Sequence, residues 1–206
     1  MDEYEYYLHQ MIWPEDEELN KYKQEIEIIN CKIQELSNYL IDKNNIEKEE
    51  YLRITFPYGI IRTVTKCKSL LDCVDDDIIK TNIAYSLMLS DLNACLINRT
   101  TIKGTLQEMI IKHNIILMAS ICEALSAVYA SKKISYKKRI EKIYEINIIN
   151  DNLKNDLEWL WDQRGIHIYE LDEKEYNKYK IDDFNKSIRT TIDFIEALNK
   201  KKNSLH

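Results

Sequence analysis

Glycine and proline are nearly absent, at three and two in 206 residues. So few residues suited to tight turns argue against a turn-rich β architecture. The many Ile, Leu, Lys, Glu and Asn favour long helices instead. Cysteine is present but unorganised. The five cysteines, at 31, 67, 73, 95 and 122, are odd in number and include no CxxC and no Cys/His spacing of a zinc site. No metal and no cofactor is therefore expected. Cys95 and Cys122 sit in apolar runs and read as small core hydrophobes. There is no GxGxxG, no P-loop and no GxSxG, so neither a phosphate-cradling glycine loop nor an elbow nucleophile is in view.

The first residues, Met1-Asp2-Glu3-Tyr4-Glu5, are acidic and lack the basic and apolar regions of a secretory leader. The longest near-apolar stretch, Ile115 to Cys122, is too short to span a bilayer. No membrane is expected, and a reducing cytoplasm is the expected compartment. The net charge of −6 argues against coating duplex DNA through its phosphates. An RNA-cutting site needs only a local cation and is not excluded.

The length allows one domain with a real core, or one domain plus a helical appendage. Three segments are expected: an N-terminal helix within 1–50, a connecting segment over 51–74, and a helical bundle over 75–206. Leu19, Tyr22, Ile26, Ile29, Ile33, Leu36 and Leu40 alternate steps of three and four, which makes a heptad seam. That helix either packs on the rest of the chain or forms a coiled coil with a second copy or a partner. Arg53-Ile54-Thr55-Phe56-Pro57-Tyr58-Gly59 breaks the pattern and reads as a loop or short extended piece.

Within the bundle, Asp75-Asp76-Asp77 opens a helix that carries Ile79, Ile83, Leu87 and Leu92 to about Asn98. Thr105 and Glu108 fit a capping box ahead of an apolar run. From Met109 to Ala130 that helix is apolar nearly all round and belongs at the centre of the bundle. Glu123 is the exception there; an acid inside the bundle needs a cation, a donor or a proton. A basic helix over 136–146 and a helix from Asp151 to Asp162 come next. A last helix from Asp182 or Asp183 carries Phe184, Ile188, Ile192, Ile195 and Leu198. Lys200-Lys201-Lys202 reads as a solvated tail.

The densest chemistry lies at Arg164-Gly165-Ile166-His167-Ile168-Tyr169. Imidazole exchanges protons near neutral pH, and guanidinium grips phosphate in a planar fork. Together they point to work on a phosphodiester. The plainer reading has Arg164 capping a helix end or pairing with Asp162 or Glu170. Gly165 is then the left-handed stop and His167 a structural histidine. His113 reads as packed or partly exposed, and Trp159 and Trp161 as core and interface anchors.

The order of these pieces resembles the HEPN superfamily (higher eukaryotes and prokaryotes nucleotide-binding). It runs from a helix of the type Ile-Met-Ala-Ser-Ile-Cys-Glu-Ala-Leu, through a helix ending in Arg followed by His-x-Tyr, to a charged loop and a final amphipathic helix. The resemblance covers about residues 78–198. Arg164, His167 and Tyr169 match the family's Arg, His and Tyr, and Glu123 matches a polar position on the central helix. The Arg–His gap is shorter here, with Gly165 where the family usually has Asn. The resemblance implies an all-α HEPN-like bundle, with the heptad helix as an addition. It implies a metal-independent ribonuclease of a toxin–antitoxin or anti-phage system, with RNA as substrate. A homodimer with the site at its two-fold, and an antitoxin or other partner protein, belong to the same implication. The alternative is a catalytically silent HEPN-like module for binding or assembly.

Overall fold

The computed structural model describes residues 17–43, 59–169 and 179–204; the side chains of 17–21, 23, 39–43 and 166–169 lie outside that description. The described residues form seven helices and no strand: α1 (Glu17–Lys43), α2 (Val64–Lys68), α3 (Asp77–Arg99), α4 (Thr105–Tyr129), α5 (Tyr136–Glu145), α6 (Asp151–Tyr169) and α7 (Ile181–Asn203). The protein is all-α. The chain divides into two compact units, residues 1–57 and 58–206.

In the first unit, α1 is a single 27-residue helix over the heptad pattern. Its seam residues Tyr22, Ile26 and Ile29 are exposed, and Ile33 and Leu36 are half-buried.

In the second unit, α4 is the hub and packs on α3, α5, α6 and α7. Ile111, Ile115, Met118, Ile121, Cys122 and Leu125 are at most 2 % exposed. Burying each large aliphatic chain stabilises the fold by about 1.5–3 kcal/mol. A helix apolar all round can only be satisfied by neighbours on several sides. By length and composition α4 is also apolar enough to cross a bilayer, a test that a bundle's core helix passes as well. Of the stripe expected on α7, Phe184, Ile188, Ile195 and Leu198 are buried, Ile192 is half-buried, and Phe194 is buried in addition; α7 packs on α4. Polar groups set the register: Asn93 of α3 donates to the Asn114 side-chain oxygen (3.3 Å), and Asn114 donates to Ser187 of α7 (3.4 Å).

Several boundaries differ from expectation. Residues 64–74, expected within a connecting segment, belong to the bundle unit, with Cys67, Leu71, Cys73 and Val74 buried. Arg62 fixes their entry, donating from its backbone nitrogen (3.0 Å), Nε (2.9 Å) and Nη2 (2.6 Å) to Asp91 of α3. Thr105 does not cap α4. The cap residue is Gly104, at φ 66, and its carbonyl accepts from the Glu108 backbone. The chain turns into α4 through a conformation that a side chain resists.

The lysine tail is not free either. Residues 200–202 form the last turn of α7, where Lys202 bonds the Asp72 carbonyl (2.9 Å) and the Asp75 carboxylate. Cations belong at that negative helix end. Asn199 completes the clamp, accepting from the Cys73 backbone (2.7 Å) and donating to the Leu70 carbonyl (2.9 Å).

Candidate functional site

The largest departure lies in α6, because this helix does not stop at Asp162. It starts where Asn150 accepts from the Leu153 backbone (2.9 Å) and runs through Gly165 to Tyr169. Gly165 is helical and not a left-handed stop, since positive φ among the described glycines occurs at Gly59 and Gly104. A β-carbon added at 165 would meet nothing within 4 Å. Arg164 and His167 are therefore one helical turn apart on a continuous helix, the spacing at which positions share a face. The side chains of His167 and Tyr169 lie outside the described residues.

Arg164 is described, and it faces inward along the bundle's edge. Its Nη2 is 3.4 Å from Oε2 of Glu123 on α4. Its Cζ lies 4.5 Å from the ring centre of Trp161, one turn back. The sequence offered Asp162 and Glu170 as surface partners. Asp162 instead takes Lys137 of α5 at 2.7 Å.

Glu123 is not deep inside the bundle, as its position on the apolar helix implied. Its side chain is 39 % exposed, at the rim where α4 meets α5 and α6. It finds the required cation twice. Oε1 is 3.6 Å from Nη2 of Arg139, whose side chain is only 6 % exposed. Arg139 also donates from Nε to Ser126 (3.1 Å) and from Nη1 to the Ile134 carbonyl (3.2 Å). Hydrogen bonds of this kind offset the desolvation of a buried guanidinium.

The sequence pattern placed Arg139 among the solvated lysines of the basic helix and so hid it. The signal was there: Tyr136, Arg139, Ile140 and Ile143 share one stripe, and all four are buried. Tyr136 completes the arrangement by stacking on Trp161 at 4.4 Å with a 12° tilt, and the Arg139 guanidinium lies 6.0 Å from the Tyr136 ring. The result is a layered series, Arg164, Trp161, Tyr136, Arg139, whose two cationic ends meet at one carboxylate. Burial pushes the Tyr136 phenol well up, so it stays neutral.

Two guanidinium groups share the Glu123 carboxylate, and Glu158 also acts on the Tyr136 phenol between them. The Nε of Arg164 is buried with no hydrogen-bond partner.

His113 is exposed on α4, with Nδ1 3.2 Å from the Asn93 side-chain nitrogen. An open cleft of about 400 Å³ at the other end of α6 is lined by Asn150, Asn152, Asp156, Asp193, Glu196 and Lys200. Its Asp156 is already paired with Lys186 at 2.8 Å. Among the described residues, no group of three or more His, Cys, Asp or Glu could hold a metal ion.

The chain matches no family model, no curated protein and no solved structure.

Proposed function

We propose that the protein is a HEPN-like, metal-independent endoribonuclease of a toxin–antitoxin or anti-phage system. The observation that carries the reading is the Glu123–Arg164 contact: the acid of the central helix and the arginine of the His-containing helix meet across two elements, 41 positions apart in sequence. In this reading Glu123 and Trp161 position Arg164 and do not themselves react. The exposed part of the Arg164 fork, beyond what Glu123 holds, binds a phosphoryl oxygen, where negative charge grows in the transition state. His167 takes the proton of the ribose 2′-hydroxyl as that oxygen attacks phosphorus. The 5′-oxygen leaves with a proton, which gives a 2′,3′-cyclic phosphate and a 5′-hydroxyl. Tyr169 donates a hydrogen bond or stacks on a base. Each protomer of a homodimer contributes one such set.

A second reading, a silent module for binding or assembly, draws on the same contact, since a guanidinium already facing a carboxylate is partly neutralised. Cleavage of RNA with a chelator present, and without any antitoxin, separates the two. The nuclease reading expects 2′,3′-cyclic ends, and a loss of about 10²–10⁴ in rate for His167→Ala. A wild-type chain that leaves RNA intact overturns it and leaves the module.

A further inference from the structure

Beside Arg164 lies a patch of lysines. Lys132, Lys133, Lys137 and Lys138 span the turn after α4 and the first turn of α5, and all four are exposed. One guanidinium ties that turn to the candidate site. Arg139 donates from Nη1 to the Ile134 carbonyl (3.2 Å), while its Nη2 stands 3.6 Å from Glu123, the acid that holds Arg164. Lys137 ties the patch to the helix of Arg164 itself, through Asp162 at 2.7 Å. Lys132, Lys133 and Lys138 form no ion pair among the described residues. Nor do they serve the helix. Cations are favoured at a helix C-terminus, and these crowd the positive end of α5, whose first turn carries no acid.

The acids nearby are engaged elsewhere. Glu123 is shared by two arginines, Asp162 is held by Lys137, and Glu141 is held by Lys154 at 2.5 Å. Glu145 sits at the far end of α5, beyond Lys142, and Glu158 acts on Lys154 and on the Tyr136 phenol. Glu170, Asp172, Glu173 and Glu175 lie outside the described residues. In a chain of net charge −6, a cationic patch this local suits one strand of nucleic acid and not the breadth of a duplex. We propose that Lys132, Lys133 and Lys138 bind the phosphates of single-stranded RNA that flank the one held by Arg164. The proposal rests on the phosphodiester reading of Arg164 and adds to it the track that holds the strand. An ammonium grips phosphate as a point charge and reads no base, so the track sets affinity and salt dependence, not sequence.

Anisotropy of a labelled single-stranded 2′-O-methyl RNA tests this apart from chemistry, since that strand has no free 2′-hydroxyl to attack and cannot be cut. The full wild-type chain should bind it, more weakly as salt rises. Lys132→Gln with Lys133→Gln and Lys138→Gln should weaken binding roughly tenfold or more. The same variant should make the plot of log affinity against log salt shallower by about 2, because each phosphate contact on a single strand contributes about 0.7. Lys80→Gln with Lys103→Gln and Lys201→Gln removes the same charge elsewhere and should leave the slope unchanged. A wild type that does not bind at low salt overturns the proposal, as a surface for an acidic protein would. So does a Lys132/Lys133/Lys138 variant that binds like wild type, or a control that loses as much. The track and the nuclease fail separately. Binding through these lysines with cleavable RNA left intact keeps the track and sinks the nuclease. Subsaturating RNA cut at the full rate by the Lys132/Lys133/Lys138 variant keeps the nuclease and sinks the track.

Discussion

Charged side chains in this protein matter according to what they leave behind when removed. Lys137–Asp162 is about half exposed on both sides, and pairs of that kind contribute roughly 0–1 kcal/mol. Arg62–Asp91 differs, since the two side chains are 19 % and 16 % exposed and one carboxylate accepts from backbone and guanidinium together. Asp91→Ala should cost about 1.5–3 kcal/mol in urea unfolding, because bonds to charged, part-buried groups are the expensive ones to lose. A shift no larger than that of Asp162→Ala would put the pair in the surface class. Burial and pairing also decide which site residues were legible in the sequence. Glu123 stood out as an acid in an apolar run, and its need for a cation was legible. Arg139 was not, because its lysine neighbours hid one arginine on the buried stripe. Which cation Glu123 takes depends on how α4, α5 and α6 meet, which no local pattern specifies.

Helix ends were the least legible elements, and glycine is the reason in both directions. Gly165 resembled a stop, yet Leu157, Trp161, Arg164 and Ile168 keep the four-three-four rhythm past it, and the helix follows that rhythm. Gly104 looked incidental before an apparent Thr-x-x-Glu cap, yet it makes the turn itself. Opposite outcomes are expected for the same substitution. Gly165→Ala, with open space and helical φ, should stabilise the unit by about 0.5–1 kcal/mol. Gly104→Ala, at φ 66 and ψ −145, should destabilise it by about 1–3 kcal/mol. Thermal unfolding of the two variants checks both, and a destabilising Gly165→Ala would contradict a continuous α6. The elements themselves were legible where periodicity was strong. The all-round apolar run of α4 announced its central place, and the Phe184 to Leu198 stripe announced the packing face of α7.

Across the whole molecule, the buried thiols and phenols make alkaline pH the weak side. Burial pushes Cys122 up to about 12 and Cys73 up to about 11, from an ordinary 9.0. Tyr129 is likewise pushed up to about 12 by burial. Each group holds its proton more tightly folded than unfolded. The stability they contribute is complete below the ordinary thiol range and is lost as pH climbs toward 11–12. Urea midpoints in reducing buffer should therefore be level from pH 7 to about 8.5 and fall steadily above it. A midpoint unchanged at pH 10.5 would show that these groups titrate alike in both states. At pH 7.5 the four buried cysteines should resist alkylation until urea opens the unit, whereas exposed Cys31 should label at once.

The pairing of α4 with α7 also has a consequence during synthesis. Tyr129 closes α4 and bonds the Leu198 carbonyl, 69 residues further along. At about 5–20 residues per second, a ribosome needs roughly 3–14 s to cover that interval. For the later part of that interval the most apolar of the described helices is outside the ribosome while its main cover is still unmade. A holding chaperone has its window there, and a message truncated before α7 would release a chain in which α3, α5 and α6 can cover α4 but its α7 side stays open.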